Sequence, residues 1–216
     1  KRQSIAHPMA HAPLTLPDPM ALLQGVSRSF YLSIRLLPAP LREPVGLGYL
    51  LARATDTIAD TAQLAPTLRR QHLAALAHAI EHGNPAPEAI ALLAESFAAL
   101  QQDPHERRLI TLLPQCLAWL ARIDAADRDD IRTVLRHITR GQALDVERFG
   151  QASGVRALAN ADELNEYTWL VAGCVGEFWT ALCARHLPGF ARLDTARMNA
   201  LAITRVLRTT QPGAGV

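Results

Sequence analysis

Aromatic residues are scarce in this chain: five Phe, three Tyr and three Trp make up 5% of its 216 residues. Sheets draw on aromatic and β-branched side chains to fill their pleated faces, so this scarcity argues against a β-rich fold. Cysteine is nearly as rare. Cys116, Cys174 and Cys183 are an odd number, lie in apolar helical stretches and show no metal-ligand spacing, which removes a disulfide framework and a thiolate metal site from consideration. There is no block of like charge either. The net charge is +2, with both signs dispersed along the chain, so nothing in it marks a nucleic-acid partner. Long apolar runs are also missing. The best candidate, residues 169–184, is interrupted by Glu177 and falls short of the ~20 residues that span a bilayer. Residues 1–17, KRQSIAHPMAHAPLTLP, lack the continuous apolar core of a secretory signal and read as a mobile tail. The expectation is a cytoplasmic protein, soluble or peripheral at a membrane surface.

What is abundant is Ala and Leu, within a hydrophobic fraction of 49%. That composition favours helices, and the length allows one domain with a full core. Asp18-Pro19 opens a first helix, weakened at Gly25 and the following VSRSF. Pro38 and Pro40 precede the next. Pro66 with Thr67 starts a helix, NPAPEA at 84–89 introduces an amphipathic one with Ile90, Leu93, Phe97 and Leu100 on its face, and Pro104 starts a third running through Leu109, Leu113, Leu117 and Leu120. His78, His82 and His105 on these helices read as surface residues. A long helix extends from Ala126 into RGQALDVERFG. After a loop at 151–161, Asp162 starts ELNEYTWLVAGCVGEFWTALCARH as one helix, and Asp194 with Thr195 caps a final one. No repeat and no βαβ alternation is present. The reading is an all-α, single-domain bundle of about eight helices over residues 18–216.

One stretch of these helices carries chemistry, YLLARATDTIAD at residues 49–60. Steps of three and four residues place Tyr49, Arg53, Asp56 and Asp60 on one helical face, among Leu50, Leu51, Ala52, Ala54 and Ile58. Ionised carboxylates in such surroundings are costly unless paired or bound to a cation. Two hard oxygen anions suit Mg²⁺ bridging to a substrate phosphate. Spacing alone equally allows an ordinary pair of Arg53 with Asp56 at i, i+3, with Asp60 facing solvent, and that is the commoner outcome of such a pattern.

Three other segments bear on this face. Ser27, Arg28 and Ser29 before Phe30 form a phosphate-binding combination or a solvated helix kink. Gly141 permits close helix approach, and Asp145 one turn later either assists the carboxylates or pairs with Arg148 at i+3, the local pairing being favoured by sequence. Tyr167, Val171, Cys174 and Phe178 share a face beside Gly173 and Gly176. A glycine inside a helix costs up to ~1 kcal/mol relative to Ala, so the pair implies a packing or cavity requirement. An apolar cavity with carboxylates and arginines at one end suits an amphiphile with an oily chain and an anionic head, such as an isoprenoid diphosphate.

These segments together resemble the squalene and phytoene synthases, the head-to-head prenyl diphosphate condensing enzymes, and in particular bacterial squalene-synthase-like proteins. VSRSFYLSIRLLP followed by LGYLLARATDTIAD is similar to that family's first substrate-binding region, GQALDVERF to its central Gly-x-x-x-Asp segment, and YTWLVAGCVGEFW to its Tyr-x-x-x-Val-Ala-Gly-x-Val-Gly helix. The resemblance implies a class I isoprenoid synthase bundle around a central apolar cavity. It implies Asp56 and Asp60 as carboxylates holding Mg²⁺ on the substrate diphosphate, Ser27, Arg28 and Arg53 as diphosphate contacts, and Tyr49 and Tyr167 as active-site tyrosines. Phe30, Asp145, Val171 and Gly176 are then pocket positions. The implied substrate is a prenyl diphosphate, with farnesyl diphosphate the expected one, condensed to presqualene diphosphate, squalene or a phytoene-like product. NADPH is required if the product is squalene.

The resemblance weakens at the C terminus. The family's second aspartate motif, Gln-Leu-x-Asn-Ile-x-Arg-Asp-x-x-x-Asp, aligns with AITRVLRTTQPGAGV, where Ala202 stands for the Gln, Arg205 for the Asn, Thr209 for the first Asp and Gly213 for the second. The expectation is a domain incomplete at its C terminus, with apolar faces left exposed. Two other readings stay open: a helical protein that binds prenyl diphosphate without catalysis, and a class I terpenoid enzyme acting on one diphosphate.

Overall fold

The computed structural model describes residues 16–27, 29–150, 157–190, 194 and 197, and every regular element among them is helical. In chain order these are α1 (Pro19–Ser27), α2 (Ser29–Leu36), α3 (Ala39–Asp60), α4 (Pro66–His82), α5 (Pro87–Leu100), α6 (Pro104–Thr111), α7 (Leu113–Arg122), α8 (Ala125–Phe149), α9 (Ala161–Thr168) and α10 (Cys174–His186). A π turn, Trp169–Gly173, joins the last two.

The helix starts follow the local chemistry. Asp18 Oδ1 accepts from the Ala21 amide at 3.0 Å, Asp103 from His105 and Glu106, and Asp124 from Ala126 and Asp127. Gly83 closes α4 with φ +78°, a left-handed geometry that favours glycine. Asp194 Oδ1 accepts from the Arg197 amide at 3.0 Å, the bond expected of its N-cap role. The final helix itself, Arg28, and the segment carrying Ala202, Arg205, Thr209 and Gly213 lie outside the described residues.

Two elements differ from the sequence expectation. The helix expected from Pro104 through Leu120 divides at Leu112, because Pro114 has no amide hydrogen to donate and its ring collides with the carbonyl four residues before it. The single helix expected after Asp162 contains the π turn. A Cβ at Gly173 would sit 2.9 Å from Trp169 Cδ1, so glycine is what lets the indole fold against the turn. The extra residue rotates everything beyond it by about 100°. Cys174, expected on the cavity face, is therefore buried in the core, and Val175 joins Phe178 at the cavity instead.

α3 is the central element, packed against α4, α6, α7, α8 and α10. Its Leu47, Leu50, Leu51, Ala54 and Ile58 are wholly buried, each large side chain contributing about 1.5–3 kcal/mol relative to exposure. Leu76, Leu109, Ile110, Leu113, Ile131 and Leu135 complete the same core from the neighbouring helices. Arg69 on α4 fixes the end that matters. It donates to Ala59 O at 2.9 Å and to Gly150 O at 3.4 Å, so the C-termini of α3 and α8 lie side by side. At the other end of α8, Asp127 is buried against α10, with Arg185 Nη1 at 2.6 Å and His186 Nε2 at 2.8 Å; Arg185 also reaches Asp130 at 2.6 Å. Among the described residues, no helix is long and apolar enough to cross a membrane.

Candidate active site

Because the helix of residues 49–60 forms unbroken, Tyr49, Arg53, Asp56 and Asp60 do fall along one face of α3. Arg53 Nη1 donates to Asp56 Oδ2 at 2.8 Å, the local pair that spacing allows, and Asp60 is exposed at the helix end. The second nitrogen of Arg53 does something that spacing does not show. Nη2 donates to Glu106 Oε1 on α6. Burial works against the charge of Arg53, but Glu106 and Asp56 more than offset it and hold its pKa above the usual arginine value.

Asp60 senses the same neighbourhood. Partial burial, then the carboxylates of Asp56, Asp145 and Glu106, push its pKa up, and Arg53 opposes them. Asp145 thus contributes to the acidic end across the α3–α8 interface. Its Oδ1 accepts from Tyr167 Oη at 3.4 Å, a long bond from α9, while Arg148 extends to Glu163 at 3.7 Å. Tyr49 Oη donates to Val26 O at 3.3 Å, and its ring stacks on Phe30 with centroids 5.6 Å apart. Burial raises the pKa of both phenols, so each remains a neutral O–H at neutral pH.

Two adjoining spaces open from this face. One, of about 240 Å³, is apolar and is lined by Phe30, Ile34, Val45, Gly48, Phe178 and Trp179, among others. The second, of about 300 Å³, is lined by Tyr49, Ala52, Arg53, Asp56, Ile138, Gln142 and Val171. Tyr49, Ala52 and Ile138 belong to both, so an oily chamber continues into a charged mouth.

The site residues anticipated from the sequence are therefore gathered unequally. Tyr49, Arg53, Asp56, Phe30 and Val171 line these spaces, and Asp60, Asp145 and Tyr167 sit at the acidic end. Ser27 is buried and turned away, its hydroxyl donating to Leu23 O at 2.5 Å. Gly176 supplies its carbonyl to Thr180 on α10. Gly141 behaves as expected: a Cβ there would lie 3.1 Å from Leu170 Cβ, so glycine brings the π turn onto α8. Glu106 and Gln142 were not anticipated. Glu106 is fixed by the Asp103 cap in the first turn of α6, and no spacing links it to Arg53. Among the described residues, no group of three or more His, Cys, Asp or Glu side chains is assembled to hold a metal ion.

A family model described as squalene/phytoene synthase matches residues 23–212. The chain belongs to the squalene/phytoene synthase family. A relative within it, squalene synthase BSS of Botryococcus braunii, is 48% identical over 48 residues, which are 22% of this chain and 10% of the algal protein. The fold is that of a solved structure, TcSQS in complex with a ligand, E5700: TM-score 0.61 at 20% identity, over 85% of this chain and 49% of that one. This chain thus spans about half the length of that neighbour, and the 48-residue match covers a tenth of the algal relative.

Proposed function

We propose that this chain carries the prenyl-diphosphate site of a head-to-head prenyltransferase, and that the expected substrate is farnesyl diphosphate. The observation that carries this reading is the continuity between the apolar chamber and the charged mouth through Tyr49, Ala52 and Ile138. A long hydrocarbon joined to an anionic head needs those two environments in contact.

The carboxylates fit a hard divalent cation. Asp56 and Asp60 are one helical turn apart, and the pKa of Asp60 is raised first by partial burial and then by the carboxylates of Asp56, Asp145 and Glu106, with Arg53 opposing. Mg²⁺ commonly takes only one or two protein carboxylates and completes its shell with water and phosphate, so a third ligand from this chain is not required. Asp56 and Asp60 would hold it, and it would supply neutralisation of the departing diphosphate.

The chain's own groups do the rest. Arg53, with Arg28 as its sequence-matched companion, binds and orients the diphosphate. Phe30, Phe178, Trp179 and Val175 hold the prenyl chain and exclude water from the allylic cation formed when C1–O cleaves. Tyr49, at the junction of the two spaces, and Tyr167, at the acidic end against Asp145, stay neutral phenols. The double bond of the second prenyl diphosphate then attacks C1, forming a cyclopropylcarbinyl product with loss of one diphosphate and one proton.

The test is incubation with farnesyl diphosphate and MgCl₂, with and without NADPH, followed by analysis of the extracted lipids. A cyclopropyl diphosphate or a C30 hydrocarbon is expected, NADPH being consumed only if squalene forms. A cyclised or hydrolysed C15 product would replace this reading with that of an enzyme acting on one diphosphate. Arg53 being occupied by two carboxylates favours a second reading, binding without turnover, which the same experiment identifies as bound, unconverted substrate.

A further inference from the structure

Two polar atoms in the charged mouth are shielded from solvent and have no hydrogen-bond partner among the described residues: Arg53 Nε and Gln142 Oε1. Both residues line the same space, Arg53 from α3 and Gln142 from α8. An unpartnered buried polar atom is unfavourable, and two in one cavity mark a place where a ligand completes the bonding.

The surroundings narrow what that ligand offers. Gln142 lies one turn beyond Ile138, which faces both spaces. Next to it, Gly141 draws the π turn in, so that a Cβ there would come within 3.4 Å of Val171 Cγ1. Val171 and Gln142 thus form a wall of the mouth together. Of the other lining groups able to hydrogen-bond, Tyr49 donates to Val26 O, both terminal nitrogens of Arg53 donate to carboxylates, and Asp56 offers only acceptor oxygens, one of them taken by Arg53. Arg53 Nε can only donate. Rotation about the last side-chain bond of Gln142 exchanges its two ends, bringing the NH₂ to the position now held by Oε1. The two residues then present a pair of donors to oxygen acceptors.

We propose that Gln142 is a head-group binding residue, its amide donating to a phosphate oxygen of the diphosphate beside Arg53 Nε. The inference rests on the prenyl-diphosphate reading above and adds to it a neutral contact from α8.

The experiment is calorimetric titration of inorganic pyrophosphate with MgCl₂ into the wild-type chain, Q142L and Q142M, with thermal unfolding of each. Wild-type binding is expected, with affinity about tenfold weaker in both variants and melting temperatures equal to or above wild type, since an unpartnered polar atom has been removed. Falling affinity with preserved stability is the signature of a ligand contact. Unchanged affinity in a folded variant would overturn the proposal, as would affinity and melting temperature falling together in both. If the wild-type chain itself does not bind pyrophosphate with Mg²⁺, the diphosphate site fails first, and Gln142 with it.

Discussion

Arg53 on α3 and Glu106 on α6 are joined by a hydrogen bond across 53 positions of sequence, while the other arm of the same guanidinium stays on Asp56 at 2.8 Å. The one described arginine in the mouth is thus shared between two carboxylates before any anion arrives. Its side chain is 34% exposed and that of Glu106 24%, so water weakens the pair without dissolving it. Glu106 therefore competes with an incoming phosphate. In EDTA, Glu106→Gln should bind pyrophosphate about two- to fivefold more tightly than wild type. Weaker binding would show that Glu106 positions Arg53 instead.

Replacing both Asp56 and Asp60 by Asn should abolish the Mg²⁺-dependent part of pyrophosphate binding, leaving the residual metal-free affinity intact or improved, because two like charges have gone. Titrations with and without EDTA measure both parts. Mg²⁺-dependent affinity surviving in the double variant would remove these residues from the cation's ligands.

Asp60 gives a pH dependence whose sign is opposite to that of an ordinary salt-bridged carboxylate. Its folded pKa is raised, so the folded chain keeps this proton at pH values where the unfolded chain has released it. Stability from this group is present below the unfolded value and is lost as pH rises through the raised one. Asp60→Asn should therefore melt progressively higher than wild type as pH climbs from about 4 to 7. The gain is at most about 2–4 °C, since the group is solvent-exposed. The same proton competes with a cation, so metal-dependent binding should weaken on acidification earlier than for an unperturbed aspartate. A constant difference in melting temperature across that range would contradict the shift.

Ala52 belongs to both the apolar chamber and the charged mouth. Ala52→Leu places extra carbons at their junction, and overpacking there costs about 1–3 kcal/mol of stability. Farnesyl diphosphate should then bind no better than inorganic pyrophosphate, which itself should be unaffected. Retention of the preference for the prenyl ligand would mean that the chain runs elsewhere.

The pairing of α8 with α10 depends on a buried charge. Asp127, its side chain 5% exposed, satisfies Arg185 and His186 together. Removing one partner of such a cluster costs about 3–5 kcal/mol, so Asp127→Ala should lower the melting temperature on the order of 10 °C. A change within 2–3 °C by calorimetry would show that Asp130 alone secures Arg185.

Helical class, most helix starts and the Tyr49–Asp60 face were all legible in the sequence, because each depends on residues within a few positions of one another. Pro19, Asp103 and Gly83 act on their own turns, and i, i+4 spacing fixes a face wherever the helix stays regular. The same locality explains the misreadings. Pro114 splits a helix that the leucine periodicity carries through, and the π turn at Trp169–Gly173 moves Cys174 into the core by breaking the regularity on which face arguments rest. Asp145 is a further case: its neighbours in sequence favour Arg148, but the α9–α8 contact gives it Tyr167. What only the tertiary structure decided is which faces meet. Arg69 binding the ends of α3 and α8 sets Asp60 beside Asp145, and the docking of α6 hands Arg53 to Glu106. Those contacts join residues tens of positions apart through packing that no local spacing encodes, so the sequence named one wall of the mouth and the fold supplied the others.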